Sequence, residues 1–433
     1  MSGKSGMRNS GSGIAVRGGA AARSAAGRTQ RVKFGDVVRE VKDKIDRADN
    51  PYEFYVAGDH MDTEDLKIRR RGRFATDDVG PAFTRVFKSG QILYGSRRTY
   101  LKKVCVADFE GITTNTTFVL EGKDENVLLQ RLLPFLMLGD RFTDWSIKHS
   151  KGSTNPYVLF GDLADYEFDL PPMDEQKKLA ELLWAANDLK ESYKKAITAT
   201  NEMLKAKFRE MFGDAGDGED FNAETQSRRE GDCRSVSRRG AEARRDDELR
   251  EIRYLSIGEI GKVYTGSTPS MKVAEYYENK NVPFYKPSDF KCGLTILSTP
   301  EFYVDNRAES KCRMFNAGAV LVTCIATVGK VGLATCRGTC NQQINFIDPN
   351  ENVDSRYLAF AMTFVGDKMA ESAKASVVPI VNKSEFCGYK VPVPPLALQR
   401  EFVAIADKAE SAKANLKKSI AAIDQVMKGP ING

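Results

Sequence analysis

Two stretches of the chain place apolar residues three and four positions apart. One runs through residues 173–212, and the other repeats its register 223 positions later and extends to residue 428. This spacing aligns apolar side chains on one face of a helix and leaves lysine and glutamate on the other faces. The predicted apolar seams are Leu179, Leu182, Leu189, Tyr193, Ile197 and Leu204 in the first helix, and Phe402, Ile405, Leu416, Ile420 and Ile423 in the second.

A helix of this length with a single apolar stripe is not stable alone in water, so each seam needs a partner. The matched register and length of the two stretches favour pairing of the helices with each other as a coiled coil. The alternative is that each helix covers only the domain that precedes it.

The helices belong to a longer internal repeat. At the offset of 223 residues, Leu170-Pro171-Pro172 with Gln176 reappears as Val393-Pro394-Pro395 with Gln399. At slightly larger offsets, Phe54-Tyr55 becomes Phe284-Tyr285. Several matches in the same order indicate that one unit is written twice along the chain. The prolines of each pair suit the first turn of a helix, where a missing N–H costs nothing.

The region before each helix has a different pattern. It contains short β-rich runs, punctuated by glycine, proline and aspartate, at residues 104–107, 116–120, 320–325 and 343–347. Small helices are predicted near residues 125–138 and 355–371. The expected fold class is therefore α+β, with two pseudo-repeated globular domains at residues 32–170 and 252–392. Long helices at residues 171–213 and 393–428 follow them.

Two segments fit neither pattern. Residues 1–31 form a basic leader of glycine, serine, alanine and arginine, predicted to be disordered, with an organellar transit peptide as the alternative. Residues 214–251 carry many arginines and acids and little apolar content, which is typical of a mostly disordered insertion. An arginine-rich DNA arm is the alternative for that insertion.

Composition excludes several classes of function. Eight scattered cysteines and two histidines offer no zinc-type spacing, so no metal site is predicted and a reducing cytoplasm is expected. No run of about 18 apolar residues exists, so no membrane span is expected. Glycine-rich nucleotide loops are absent as well, which argues against a self-contained enzyme and predicts no catalytic residue.

Local charge points to nucleic acid. Residues 79–107 and 310–347 contain no acid, and basic residues alternate there with aromatic and polar ones. Basic groups bind phosphates, whereas Asn, Gln, Lys and Arg can bond base edges. The candidate DNA-binding residues are Arg97, Arg98, Tyr100, Lys102, Lys103, Lys148, Lys151, Ser153, Thr154, Thr268, Ser270, Lys286, Ser288, Lys330, Asn341, Gln342, Gln343, Asn382 and Lys383.

These motifs resemble the specificity subunits of type I restriction–modification systems. The resemblance rests on Ile92-Leu93-Tyr94-Gly95 in the first copy and on both Pro-Pro-x-x-x-Gln helix starts. In the second copy it rests on three stretches, which are residues 265–270, 321–330 and 341–345. It covers about residues 32–213 and 252–428. The charged insertion departs from the family pattern, because this junction is usually short there.

The resemblance implies two target-recognition domains, each reading half of a split target in double-stranded DNA, with the long helices packed antiparallel as a spacer. It further implies two methylation subunits that carry S-adenosylmethionine, and restriction subunits that use ATP and magnesium. This chain would then be a non-catalytic, cytoplasmic subunit without a cofactor of its own. The rival interpretations are a coiled-coil scaffold without DNA specificity and a decayed specificity subunit.

Overall fold

The computed structural model describes residues 29–213, 252–291, 293–374 and 378–432. They form two compact units. The first unit contains the chain up to residue 192 and again from residue 418, and the second contains residues 193–417. Most of the predicted basic leader and all of the predicted charged insertion lie outside the described residues.

The strands of the first unit are β1 Gln30–Lys33, β2 Val38–Val41, β3 Phe54–Val56, β4 Gly72–Arg73, β5 Phe83–Phe87, β6 Ile92–Gly95, β7 Val104–Val106, β8 Gly111–Thr114, β9 Thr117–Gly122 and β10 Glu167–Leu170. Eight of them form two four-stranded sheets, with strand orders β2-β9-β6-β7 and β4-β3-β8-β5. The unit also has a separate antiparallel pair, β1 with β10, that joins the two ends of the domain. Its helices are α1 Phe34–Val37, α2 Leu133–Leu138, α3 Asp140–Lys148, α4 Phe160–Ala164 and the beginning of α5 Met173–Phe212.

The second unit repeats this topology. Its strands are β11 Arg253–Ser256, β12 Gly261–Thr265, β13 Val282–Tyr285, β14 Leu294–Leu297, β15 Phe302–Val304, β16 Met314–Phe315, β17 Val320–Thr323, β18 Val331–Ala334, β19 Gly338–Cys340, β20 Ile344–Pro349 and β21 Lys390–Val393. Its two larger sheets have the orders β12-β20-β17-β18-β14 and β15-β13-β19-β16, so only β14 is additional. Its helices are α6 Ile257–Ile260, α7 Ser355–Ala373, α8 Lys383–Gly388 and the beginning of α9 Leu396–Asn432. The repeat in the sequence is therefore a repeat of the fold.

The predicted strands are confirmed, with ends shifted by at most two residues. The helix predicted at residues 125–138 begins only at Leu133, because turns occupy the preceding residues and Pro134 suits a first turn. The helix expected at residues 355–371 runs to Ala373 and is capped by Asp354, whose carboxylate accepts hydrogen bonds from the backbone of Arg356 and Tyr357.

The glutamine of each Pro-Pro-x-x-x-Gln motif fixes the start of a long helix to its domain. Gln176 accepts a hydrogen bond from Leu129 N (2.9 Å) and donates to the carbonyls of Val127 and Pro171. In the second unit, Gln399 makes the equivalent three bonds with Asp354 N, Asn352 O and Pro394 O. Both side chains are almost completely buried. Each amide therefore pairs backbone groups that would otherwise be unsatisfied.

The helix α5 covers the predicted range of residues 173–212. It ends where Gly213 takes a left-handed conformation, with φ of +77°, and its N–H bonds the carbonyl of Arg209. In the second unit, the last turns of α5 bury Phe208 and Phe212, whose rings lie 5.3 and 5.6 Å from that of Phe402.

The seam predicted for the first half of α5 is wrong at two positions, because Leu182 and Leu189 are 54% and 44% exposed. The buried stripe there is instead Gln176, Ala180, Leu183, Asn187 and Glu191. Three of these residues are polar, and Glu191 pairs with Arg69 at 2.6 Å within the first unit. A seam drawn through apolar residues alone misses a buried face that includes Gln176 and Glu191, two polar residues with specific partners.

Long-helix residues contact each other inside each unit. In the second unit, Lys413 Nζ donates to Asn201 Oδ1 (2.6 Å), and further along α5 Phe208 packs on Phe402, so α5 and α9 run antiparallel there. In the first unit, Lys190 Nζ lies 2.6 Å from Asp424 Oδ1. The two contacts are related by the repeat offset. A partly buried polar pair of this kind restricts the register of a helix pair.

Candidate nucleic-acid interface

In the first unit, the loop after β6 meets the segment before α4. Arg98 adopts a left-handed conformation, with φ of +51°, and its N–H donates to Pro156 O (2.7 Å). Its neighbour Arg97 forms a β-bridge with Tyr157, and Val158 N donates to Ser96 O (3.0 Å). These backbone contacts hold both arginines at a fixed place on the rim of the domain.

The late loop that the sequence paired with this site lies beside it. Tyr157 also bridges Lys151, and the guanidinium of Arg98 donates to the side chain of Asn155 (3.2 Å). Many of the residues predicted for this copy share one exposed surface, namely Arg97, Arg98, Tyr100, Lys148, Lys151, Ser153 and Thr154. That they bind DNA stays a prediction, whereas their proximity follows from the hydrogen bonds.

The turn between β8 and β9, which lie in different sheets, contains a residue that sequence reasoning missed. Ser96 donates to Thr116 O through both its N–H (3.0 Å) and its hydroxyl (2.7 Å). This places the exposed Asn115 next to the arginine loop. An alignment of this turn with Asn341-Gln342-Gln343 at an offset of 227 residues would have identified it. Asn115 offers an amide suited to base edges.

The second unit contains the same three parts. Ala326, with φ of +63°, donates its N–H to Pro379 O (2.8 Å), and Val381 N donates to Cys324 O (2.9 Å). Cys324 N in turn bonds Gln343 O (2.8 Å) of the β19–β20 turn. Each contact has its counterpart in the first unit at the repeat offset. The backbone of the site is therefore duplicated, although its side chains differ.

The polar residues predicted in the second copy lie around this turn. The amide of Asn341 donates to Gln343 Oε1 (2.8 Å), and the exposed Gln342 accepts a hydrogen bond from the hydroxyl of Thr268 (2.7 Å). Ser270 is exposed on the same loop as Thr268. Lys286 follows Tyr285, whose carbonyl accepts from Asn341 N. These residues gather at one end of the sheet, where their polar groups can reach a groove.

Several predicted lysines already have partners within their unit. Lys103 Nζ donates to Gly58 O, and the equivalent Lys330 Nζ donates to Phe290 O (3.1 Å), so each fastens the turn after a matching strand. Lys102 Nζ lies 2.6 Å from Asp140 Oδ1. Lys286 Nζ lies 3.0 Å from the centroid of the Phe302 ring. Their cationic groups stabilise loops of the domain, which leaves fewer of them for phosphates.

Of the remaining candidate DNA-binding residues, Asn382 has a structural role, and Lys383 and Ser288 are exposed. The side chain of Asn382 caps α8 by accepting from Glu385 N (2.9 Å), which explains an asparagine there without a ligand. Lys383 and Ser288 are exposed. Lys383 lies close to the Pro379–Val381 segment in sequence, so it is the stronger candidate of the two for a phosphate contact.

The thiol beneath the second loop is almost completely buried. Burial raises the pKa of the Cys324 thiol, beneath the second loop, to about 12, so it is a neutral thiol at physiological pH and a poor nucleophile. Among the described residues, no cluster of three His, Cys, Asp or Glu side chains is arranged to hold a metal ion. Within that part of the chain there is also no helix with the length and apolar character of a membrane span.

Comparison with known proteins identifies the family. The model of the type I restriction modification DNA specificity domain matches residues 32–199 and 250–425, which is more than half of the chain. The EcoR124I/EcoR124II specificity subunit of Escherichia coli is 28% identical over 39% of this chain and 44% of its own length. The HindI specificity subunit of Haemophilus influenzae is 22% identical over 92% of this chain and 98% of its own length.

A solved structure agrees on the fold. One chain from a structural study of complex assembly and conformational transition of the type I restriction–modification system has a TM-score of 0.54 and 18% identity. It covers 93% of this chain and 96% of that one. With two matched domains and a duplicated α+β fold, the chain belongs to the type I restriction–modification DNA specificity family.

Proposed function

We propose that this protein is the DNA-recognition subunit of a type I restriction–modification complex and that each unit reads one half of a two-part target. One observation carries the proposal, which is the duplicated three-part surface with different side chains in each copy. In each unit, matching hydrogen bonds around Arg98 or Ala326 hold together three parts. They are the turn between two strands of different sheets, the left-handed loop, and the segment that contains Pro156 or Pro379. Two equal scaffolds with unequal side chains suit a target whose halves differ in sequence.

Phosphate and base contacts have separate sources in this proposal. Arg97, Arg98 and Lys148 supply cationic groups for phosphate oxygens or guanine, which orient the domain on the duplex. Lys151 is a weaker candidate, because its Nζ lies 2.9 Å from Asp162 Oδ2. Asn115 and Gln342 supply side-chain amides in the β8–β9 and β19–β20 turns, where they meet base edges. The major groove is the groove in which every base pair can be distinguished.

The long helices act as the spacer between the half-sites. At 1.5 Å per residue, the 40 residues of α5 are about 60 Å long. Half-sites read from one face of the duplex are separated by about one helical turn or a multiple of it. Within each unit, the contacts Lys190–Asp424 and Lys413–Asn201 join the two long helices at equivalent positions.

The chain is proposed to leave chemistry to its partners. Two methylation subunits would carry S-adenosylmethionine and receive the flipped adenine, and restriction subunits would use ATP and magnesium. This chain orients the duplex for them.

A binding experiment tests the two-part reading. The complex with its methylation subunits is bound to duplexes that carry the target, the target with one half-site scrambled, or the target with one base pair added to the gap. Because a rigid spacer cannot place both domains at once, the added base pair should weaken binding at least about tenfold, as scrambling one half-site does. Equal binding to all three duplexes would contradict the proposal.

A further inference from the structure

The two left-handed loops are equivalent in backbone and opposite in chemistry. Arg98 and Ala326 share their positive φ and their hydrogen bond to the residue before the bridge, Pro156 O in the first unit and Pro379 O in the second. At the bridge, the first unit pairs Arg97 with Tyr157, and the second pairs Ile325 with Ile380. Cationic and aromatic groups in one copy thus correspond to aliphatic groups in the other.

The aliphatic groups of the second loop face solvent. Ile380 is 53% exposed and Val378 is 56% exposed, whereas Ile325 is half-buried beside them. The nearby Lys330 donates its ammonium to Phe290 O. The loop therefore presents branched aliphatic side chains, without a cation of its own, at the position where the first unit presents two arginines.

The neighbouring β19–β20 turn indicates which chemical group of the DNA these side chains contact. Cys324 N bonds Gln343 O, so Gln342 lies close to the aliphatic group. Its Oε1 accepts from Thr268 through one lone pair, so the second lone pair and the amide N–H groups can still accept from and donate to a base edge. A glutamine amide suits adenine, and the partner of adenine carries the one apolar group that the major groove displays, the 5-methyl of thymine.

We propose that Ile325 and Ile380 recognise the 5-methyl group of a thymine in the half-site read by the second unit. This inference rests on the proposed function and adds the chemical class of base that one loop selects. An isoleucine side chain cannot donate a hydrogen bond to a phosphate, so these two side chains contribute to affinity only where they cover apolar surface. The arginine loop of the first unit has no such requirement.

The test changes the DNA one methyl group at a time. Each thymine of the target is replaced singly by deoxyuridine, which keeps every hydrogen bond and removes only the methyl. Affinity is then measured for the complex with the unaltered chain, with Ile380→Ala and with Ile380→Val. Removal of the contacted methyl should weaken binding of the unaltered complex about fourfold, the size expected for one buried methyl group.

The protein variants assign that effect to the loop. Ile380→Ala should bind thymine and deoxyuridine duplexes equally at that position, whereas Ile380→Val should keep part of the difference. Arg97→Ala, at the matching bridge of the first unit, should weaken binding to the thymine and deoxyuridine duplexes by the same factor and so keep all of the difference between them. If no deoxyuridine substitution weakens binding, or if Ile380→Ala keeps the full difference, the thymine assignment is overturned. If the complex with the unaltered chain binds the target and unrelated DNA equally well, the proposed function itself is refuted.

Discussion

Replacing Gln399 with methionine is expected to lower the free energy of unfolding of the second unit by about 3 kcal/mol. Methionine fills a similar volume but leaves Asp354 N, Asn352 O and Pro394 O without the side-chain partner they have now. Unpaired buried polar groups cost about 1–3 kcal/mol each, partly relieved by water and local movement. Urea unfolding of the full chain, followed by circular dichroism, measures the change.

The first unit offers an independent copy of the same experiment. Gln176→Met should destabilise its unit by a similar amount, because Gln176 makes the same three bonds at the repeat offset. Gln425→Met, at an exposed position of α9, is the matched control and should leave the urea midpoint unchanged. A buried-position variant with the stability of the control would show that the amide does not fasten helix to domain.

Replacing both Arg97 and Arg98 with alanine is expected to weaken DNA binding by about 1–3 kcal/mol, which is about 5- to 150-fold. Both guanidinium groups lie on the exposed rim, and Arg98 has only the neutral side chain of Asn155 as a side-chain partner among the described residues. Fewer phosphate contacts release fewer counterions, so the salt dependence of binding should also become less steep. Titration of target DNA at several salt concentrations measures both effects.

Lys88→Ala provides the control for that experiment. Lys88 belongs to the same acid-free stretch, but it precedes β6 and so lies at the opposite end of the strand from the arginine loop. Its replacement removes one positive charge, where the double change removes two, and should affect neither affinity nor salt slope. An effect about half as large in free energy as that of the double change would mean that overall charge, and not the rim surface, governs binding.

The sequence was most informative where periodicity and repetition agreed. The duplicated domains, the α+β class and the bounds of α5 follow from the repeat offset, from the helical spacing and from Gly213, which ends the helix. The proximity of Arg98 to residues 148–157 was also predictable, since a basic loop and a polar late loop recur together. Repetition doubles the number of observations on one fold, which is why these predictions succeeded.

The failures have a common physical cause. Glu191 lies on the buried face of α5, where it pairs with Arg69, whereas the apolar spacing predicted that Leu182 and Leu189 would be buried. Lys103 and Lys330 donate to backbone carbonyls about 40 residues away in the chain. A polar side chain is buried when a specific partner is placed for it, and the partner depends on tertiary structure. Asn115 was missed for another reason. Its equivalence to Gln342 is recognised only when the β8–β9 turn is aligned with the β19–β20 turn.

The measurement that tests the central claim most directly is mapping of methylated adenines in DNA from cells that express this chain with its methylation subunit. The account predicts a single motif of two unlike halves, separated by a gap of constant length and arbitrary sequence. Deletion of residues 214–251 should leave that motif unchanged. Methylation with the partner present at a continuous motif, or at no motif, would contradict recognition of a split target by two domains.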